Sequence, residues 1–504
     1  MKKGIVMAAV LMCILPAVFA GGTKETPAQT KAETASSVAT ASASTVPGAT
    51  APKYIFYMIG DGLGSAQRQI AEYYLQHKTG NKNAKLLMDT LPVAGINTTY
   101  SEDSLVTDSA AAATALAGGV KTNNGMISVL PDGKTVSTLV EAAEKKGMGT
   151  GLVTTTRITH ATPACFASHN PDRDDENGIA ADYLDSGVDF FAGGGIRHFI
   201  SNTDPEKYGT TDAVGAKIKS KRKDGVDVVA KFSDEGYKTF IGSKGVDAFK
   251  AYEPQGKEQV LALFTYTHCP YEIDLENQHY ACPSLPDMTK KAIDVLSKYE
   301  NGFFLMVEGG RIDHACHAND AAGAIYDTFA FDDSIKLAYE FYKQHPHETA
   351  IIVIGDHETG GMGLGFGENY FLNLTALDNV KVSVEDVLQY QYKKGEHEAF
   401  FQYLAQNFGL PDLTAEEKTL IETAMEREDE GFKAPEGYDY NQAAIAATHV
   451  ISTRTNMYWT TYAHSGTSIP MSAIGDGVEA MGGFKDNTEI AKAASKYCDL
   501  PLNQ

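Results

Sequence analysis

Basic residues are scarce in this 504-residue chain: 43 Lys and Arg stand against 65 Asp and Glu, a formal net charge of −22. Such a balance argues against a nucleic-acid partner, because binding a phosphate backbone needs a basic surface. It leaves room for a small anionic substrate, since bound metal ions can reverse the field inside one cleft. Long apolar runs are missing beyond residue 20, so no later segment is expected to cross a bilayer. The spacing of Cys165, Cys269, Cys282, Cys316 and Cys498 matches no zinc ribbon. A GxSxG elbow is absent, which disfavours a hydrolase of the Ser-His-Asp type. The triple glycine 193–195 lacks the GxGxxG context and reads as a tight turn after a strand, not a nucleotide loop. No internal repeat is visible.

What remains is a globular composition, 43% hydrophobic and 10% aromatic, long enough for one large domain with insertions or for two to three smaller ones. Residues 1–20 read as a secretory signal peptide: Lys2 and Lys3, a short apolar run, then Val18-Phe19-Ala20 with small residues at the −3 and −1 positions. Residues 21–52, rich in Ala, Ser and Thr with Pro27, Pro47 and Pro52, have little to bury and read as a disordered tether. An exported protein, periplasmic or extracellular, is therefore expected. Export permits disulfides, and Cys269 with Cys282 is the plausible local pair; five mature cysteines leave at least one thiol free or paired between chains.

The folded part, 53–504, carries four apolar runs: 54–59, 151–154, 303–307 and 349–354. Strands apolar on both faces belong in sheets covered by helices on both sides. Helical patterns separate them, at 135–146, 288–299 and 319–345. The expectation is an α/β fold, a three-layer α/β/α sandwich with a mostly parallel central sheet. Between about 366 and 447 the pattern changes to a helical insertion: Ser383 with Asp386 and Thr414 with Glu417 look like helix caps, and Phe400, Leu404 and Phe408 form a core stripe.

Three of the strand ends lead into acids: Asp61; Glu308 with Asp313 and His317; Asp356 with His357. Ligands of open α/β sheets gather at these ends. Asp313 and His317, four apart, share a helix face if a helix starts there. Mixed carboxylate and imidazole suit zinc, whereas carboxylate with hydroxyl suits magnesium. Ser109 stands at the start of an Ala-rich helical stretch, where backbone N–H groups and the helix dipole favour a phosphate or an alkoxide; equally, it could simply cap that helix.

Seven blocks in order, Tyr57-Met-Ile-Gly-Asp61-Gly-Leu-Gly64, Val106-Thr-Asp-Ser109-Ala-Ala, Thr159-His160-Ala-Thr162-Pro-Ala with the downstream Arg173, Gly193-Gly-Gly195, Val307-Glu308-Gly-Gly-Arg-Ile-Asp313-His-Ala-Cys-His317, Gly355-Asp356-His357-Glu-Thr-Gly-Gly361 and His464-Ser-Gly466, resemble the alkaline phosphatase family. The resemblance runs through nearly the whole mature chain and points to its metal-dependent branch with a serine nucleophile. It implies hydrolysis of phosphate monoesters with Ser109 as the nucleophile. One zinc would be held beside Ser109 by Asp61, Asp356 and His357, a second by Asp313, His317 and His464. A magnesium would be held by Glu308, Thr162 and the other oxygen of Asp61, with His160 in its outer surroundings. Arg173 would clamp the phosphate oxygens, although Arg157 is also close; His314 and His169 are left as non-ligands. A homodimer is also implied. Rival readings are a phosphodiesterase or sulfatase relative and a non-enzymatic binding protein; Ser109 with Arg173, and the full ligand set, speak against them.

Overall fold

The computed structural model describes residues 51–432 and 440–502. The expected leader, and all but the last two residues of the expected tether, lie outside them. Among the described residues ten strands form one sheet: β1 (Tyr54–Gly60), β2 (Val93–Asn97), β3 (Gly149–Arg157), β4 (Phe190–Gly194), β5 (Lys238–Ile241), β6 (Val260–Leu263), β7 (Phe303–Gly309), β8 (Thr349–Gly355), β9 (Ile469–Ile474) and β10 (Gly483–Lys485). Their order is β10-β2-β9-β8-β1-β7-β3-β4-β6-β5. Only β9 runs antiparallel, to both β2 and β8.

The central strands β1, β7 and β8 are buried at every residue. Alternate side chains feed two apolar layers. Phe56, Met58, Leu305 and Val353 pack on one face with Ile325, Phe331 and Ile335 of the helix Ala321–Gln344. Ile55, Tyr57, Met306 and Ile352 pack on the other with the helices Ser109–Gly118, Leu139–Lys145 and Asn487–Tyr497. Each such side chain contributes about 2 kcal/mol of burial. In-register pairing sets Gly60 beside both Gly309 and Gly355, so the loops that follow the three strands emerge together.

Several expected boundaries shift for local reasons. The helix expected from 135 begins at Leu139, because Thr138 and Glu141 form a reciprocal capping box. Two of the three glycines at 193–195 finish β4, and only Gly195, at φ 98°, makes the turn. In the 366–447 stretch Thr414 and Glu417 do form a capping box, and Phe400, Leu404 and Phe408 are buried. Ser383 caps no α-helix. Its hydroxyl accepts from the Asp386 N–H, but Asp274 binds Ser383 and Arg311 draws the Asp386 carboxylate away, leaving a short 3-10 turn at Leu388–Tyr390. Cys269 and Cys282 do not form a disulfide; all five described cysteines are free, buried thiols packed as small hydrophobes. No described helix is long and apolar enough to cross a membrane.

Candidate active site

The loops after β1 and β8 bring Asp61, Asp356 and His357 together beside Ser109. His357 Nε2 lies 3.2 Å from Asp356 Oδ2, 3.4 Å from Asp61 Oδ1 and 3.2 Å from Ser109 Oγ. The approach depends on Gly62, at φ 69°, whose N–H donates to Asp356 Oδ1; a Cβ there would sit 2.8 Å from the Asp313 backbone.

A second trio follows β7. The helix Arg311–His317 puts Asp313 and His317 one turn apart, Oδ2 to Nε2 3.2 Å. His464 arrives on a two-residue strand paired with Glu358–Thr359, its Nε2 3.5 Å from Asp313 Oδ1 and 3.2 Å from His317 Nε2. Backbone carbonyls take the other ring nitrogens: Thr107 O lies 2.8 Å from His464 Nδ1, and Tyr462 O lies 2.5 Å from His317 Nδ1. In its neutral form each ring then presents an Nε2 lone pair to the interior of the trio, and, against the effect of burial, the neighbouring Asp313 carboxylate raises the His317 pKa.

The third group shares Asp61. Its carboxylate, Glu308 and His160 offer ligand atoms all within 4.8 Å of one another, as do the members of the other two trios. Thr162 Oγ1 lies 3.5 Å from Asp61 Oδ2, and Glu308 Oε2 accepts from the hydroxyls of Thr154 and Thr156. His160 thus stands among the candidate ligands and not only beside them.

Four carboxylates, those of Asp61, Glu308, Asp313 and Asp356, are buried here. Asp61 Oδ1, Asp356 Oδ2, Glu308 Oε1 and His160 Nδ1 have no hydrogen-bond partner. Burial, and then repulsion from the neighbouring carboxylates, pushes the Asp61 and Asp356 carboxyls well above their ordinary range. Burial also holds His357 and His160 well below the usual histidine value, which keeps them in the neutral form that metals bind. Unpaired buried carboxylates are costly unless cations neutralise them. The Asp₂His and AspHis₂ sets suit zinc, and the oxygen-rich third set suits magnesium. The residues therefore fit the metals that the sequence resemblance implies.

Ser109 opens the helix Ser109–Gly118 without capping it. The cap is Asp108, whose Oδ1 accepts from the Ala111 N–H at 2.9 Å, leaving the serine hydroxyl aimed at His357. Asp108 Oδ2 accepts from the Gly125 N–H and pairs with Arg173 Nη1 at 2.8 Å. Ser109, Asp108, Arg173, Asp313, His317 and His464 line an open cavity of about 650 Å³. Arg157 does not line it; its Nε is committed to Glu176 at 2.6 Å and its Nη1 to His268. A groove of about 680 Å³ elsewhere, lined by Tyr73, Tyr370 and Phe371, lacks the converging acids.

Sequence reasoning missed the far wall of the cavity. Glu385, Gln389, Tyr390 and Tyr440 reach it from the 366–447 stretch, together with His314 from the helix Arg311–His317. Arg311 ties the two parts together: its guanidinium lies 3.8 Å from the Tyr271 ring centre, 2.5 Å from Asp386 and 3.4 Å from Glu385. No motif marks these wall residues. Asp108 could have been found as the better helix cap, one residue before the serine.

A family model described as "Alkaline phosphatase" matches residues 52–500. The chain is 34% identical over 455 residues to "Alkaline phosphatase 3" of Bacillus subtilis, covering 88% of each. The crystal structure of Thermus thermophilus alkaline phosphatase superposes with a TM-score of 0.76 at 30% identity, over 90% of this chain and 92% of that one. A histidine-to-aspartate variant of TAB5 alkaline phosphatase, with Mg bound in the M3 site, superposes at 0.61 with 27% identity, over 90% of this chain and all of the other.

Proposed function

Because the chain belongs to the alkaline phosphatase family, we propose that it hydrolyses phosphate monoesters through a phosphoserine formed on Ser109, using two zinc ions and one magnesium ion. The observation that carries the reading is the placement of Ser109 Oγ. Freed from capping by Asp108, it lies 3.2 Å from the imidazole of a trio whose carboxylates have oxygens without hydrogen-bond partners.

Asp61, Asp356 and His357 would hold one zinc, Asp313, His317 and His464 the other, and Asp61, Glu308 and Thr162, with His160 alongside, the magnesium. When bound, these ions supply positive charge that neutralises a phosphoryl group and lowers the pKa of a neighbouring hydroxyl. Ser109 Oγ attacks phosphorus in line, forming the O–P bond as the bond to the departing alcohol breaks; water later displaces Ser109 from the same phosphorus. Arg173 grips two non-bridging oxygens, and Asp108 holds its guanidinium at the cavity wall. The helix dipole behind Ser109 favours the negative charge that gathers there. Glu385, Gln389, Tyr390 and Tyr440, from the stretch read as an insertion in the 53–504 catalytic domain, face the departing alcohol.

Release from p-nitrophenyl phosphate, compared with the bis-ester and with and without a chelator, tests this reading. Monoester turnover should dominate, vanish with chelation and return with zinc and magnesium. Faster cleavage of the bis-ester would move the chain to the diesterases. The reading also includes export after removal of residues 1–20 and a homodimer, checked by N-terminal sequencing of secreted protein and by sedimentation.

A further inference from the structure

We propose that Thr359 is a positioning residue that joins the two zinc trios, holding His357 in the tautomer that presents Nε2 and fixing the carboxylate of Asp313. The inference rests on the reading of both trios as zinc sites. Thr359 belongs to the Gly355–Gly361 block, yet neither trio includes it.

The Thr359 side chain is fully buried. Its Oγ1 lies 2.5 Å from Asp313 Oδ1 and 3.2 Å from His357 Nδ1. A hydroxyl has a single proton to give and lone pairs with which to accept. The Asp313 carboxylate can only accept, so the hydroxyl proton goes to Asp313. Nδ1 of His357 must then carry the proton that Oγ1 accepts. The chain of donors runs one way, from His357 through Thr359 to Asp313. It leaves the His357 Nε2 lone pair facing Asp61, Asp356 and Ser109, as a metal ligand requires. One hydroxyl therefore orients a ligand of each trio.

The hydroxyl is itself held. Thr359 pairs with His464 across the short antiparallel ladder, so the strand beside it carries a member of the second trio. Glu358 next to it accepts from Gln67 Nε2 at 2.7 Å and from the N–H groups of Gly361 and Met362. Gly62 closes the remaining space, where a Cβ would stand 3.0 Å from Thr359 Oγ1.

The test compares full-length parent, Thr359→Val and Thr359→Ser after metal stripping, in zinc titrations against a competing chromophoric chelator with no substrate present. Valine keeps the shape and removes the hydroxyl; serine keeps the hydroxyl. Thr359→Val should weaken both zinc sites by about 10- to 100-fold, while Thr359→Ser stays within about threefold of the parent. Parental affinity at either site in Thr359→Val would overturn the coupling, and a parent that binds no zinc would remove its basis. Nitrogen NMR of the His357 ring in the stripped parent needs no variant to fold. It should show the proton on Nδ1; a proton on Nε2 would overturn the proposal.

Discussion

At the amino end of the central sheet, Asp189 and Glu144 are provided for by their neighbours: Asp189 accepts from the Thr150 N–H at 3.1 Å and from Gln259 Nε2 at 3.2 Å, and Glu144 accepts from the Thr150 hydroxyl. At the carboxyl end of β1, β7 and β8, Asp61, Glu308 and Asp356 each keep an oxygen without a hydrogen-bond partner. Burial raises the carboxyl pKa at both ends, taking Glu144 up to about 8. The difference lies in the partners. Acids satisfied by amide and hydroxyl donors are framework; acids that converge on shared empty valences, with imidazoles among them, are arranged for cations.

The contrast breaks most sharply at Ser109. Ser109→Ala should lower monoesterase kcat by about 10⁴-fold or more while metal content stays nearly intact, because the nucleophile goes and the carboxylates remain. Phosphate trapped at low pH on any other residue would refute its role. Asp313→Ala or His464→Ala should remove zinc and activity together, by about 100-fold or more, as read by metal analysis beside the monoester assay. Full zinc occupancy in either variant would take that residue out of the site. Arg173→Ala should raise KM and weaken inhibition by inorganic phosphate by about tenfold or more, with a smaller fall in kcat, since its hydrogen bonds exist in ground and transition states alike. Unchanged phosphate inhibition would show that the grip lies elsewhere.

Smaller effects sharpen the comparison. His160→Asp should lower the magnesium concentration needed for full activity and reduce inhibition by excess zinc, because a carboxylate suits hydrated magnesium and an imidazole suits zinc. Coincident magnesium activation curves would leave His160 without that role. At the framework end, the raised Glu144 pKa means that the folded protein holds a proton the unfolded chain releases. Its stabilising contribution is complete below the ordinary carboxyl value and is lost as pH rises through about 8. Glu144→Gln should match the parent's Tm near pH 5 and exceed it by about 1–3 °C near pH 9, with kcat unchanged. An equal Tm at both pH values would mean that Glu144 is ionised in the fold.

The central strands were legible because the runs 54–59, 303–307 and 349–354 are short and apolar without alternation, as strands of a sheet covered on both faces are. The acids were legible because they follow those runs directly. The antiparallel strand β9 was not: its segment, Ile-Pro-Met-Ser-Ala-Ile, is short and lies beside β8 through pairing distant in sequence. The cavity wall at Glu385, Gln389, Tyr390 and Tyr440 was equally hidden, since long-range packing through Arg311 brings it in and no local pattern announces it. The Thr359 link needed three-dimensional distances, because a threonine after Asp-His-Glu reads as an ordinary strand residue.

Zinc titration of chelator-stripped parent protein, following bound zinc and monoester turnover in the same samples, addresses the cation-centre account most directly. Two tightly bound equivalents, with turnover appearing as they fill and completed by magnesium, are predicted. Stripped protein that retains full turnover, or that takes up no zinc, would contradict the account.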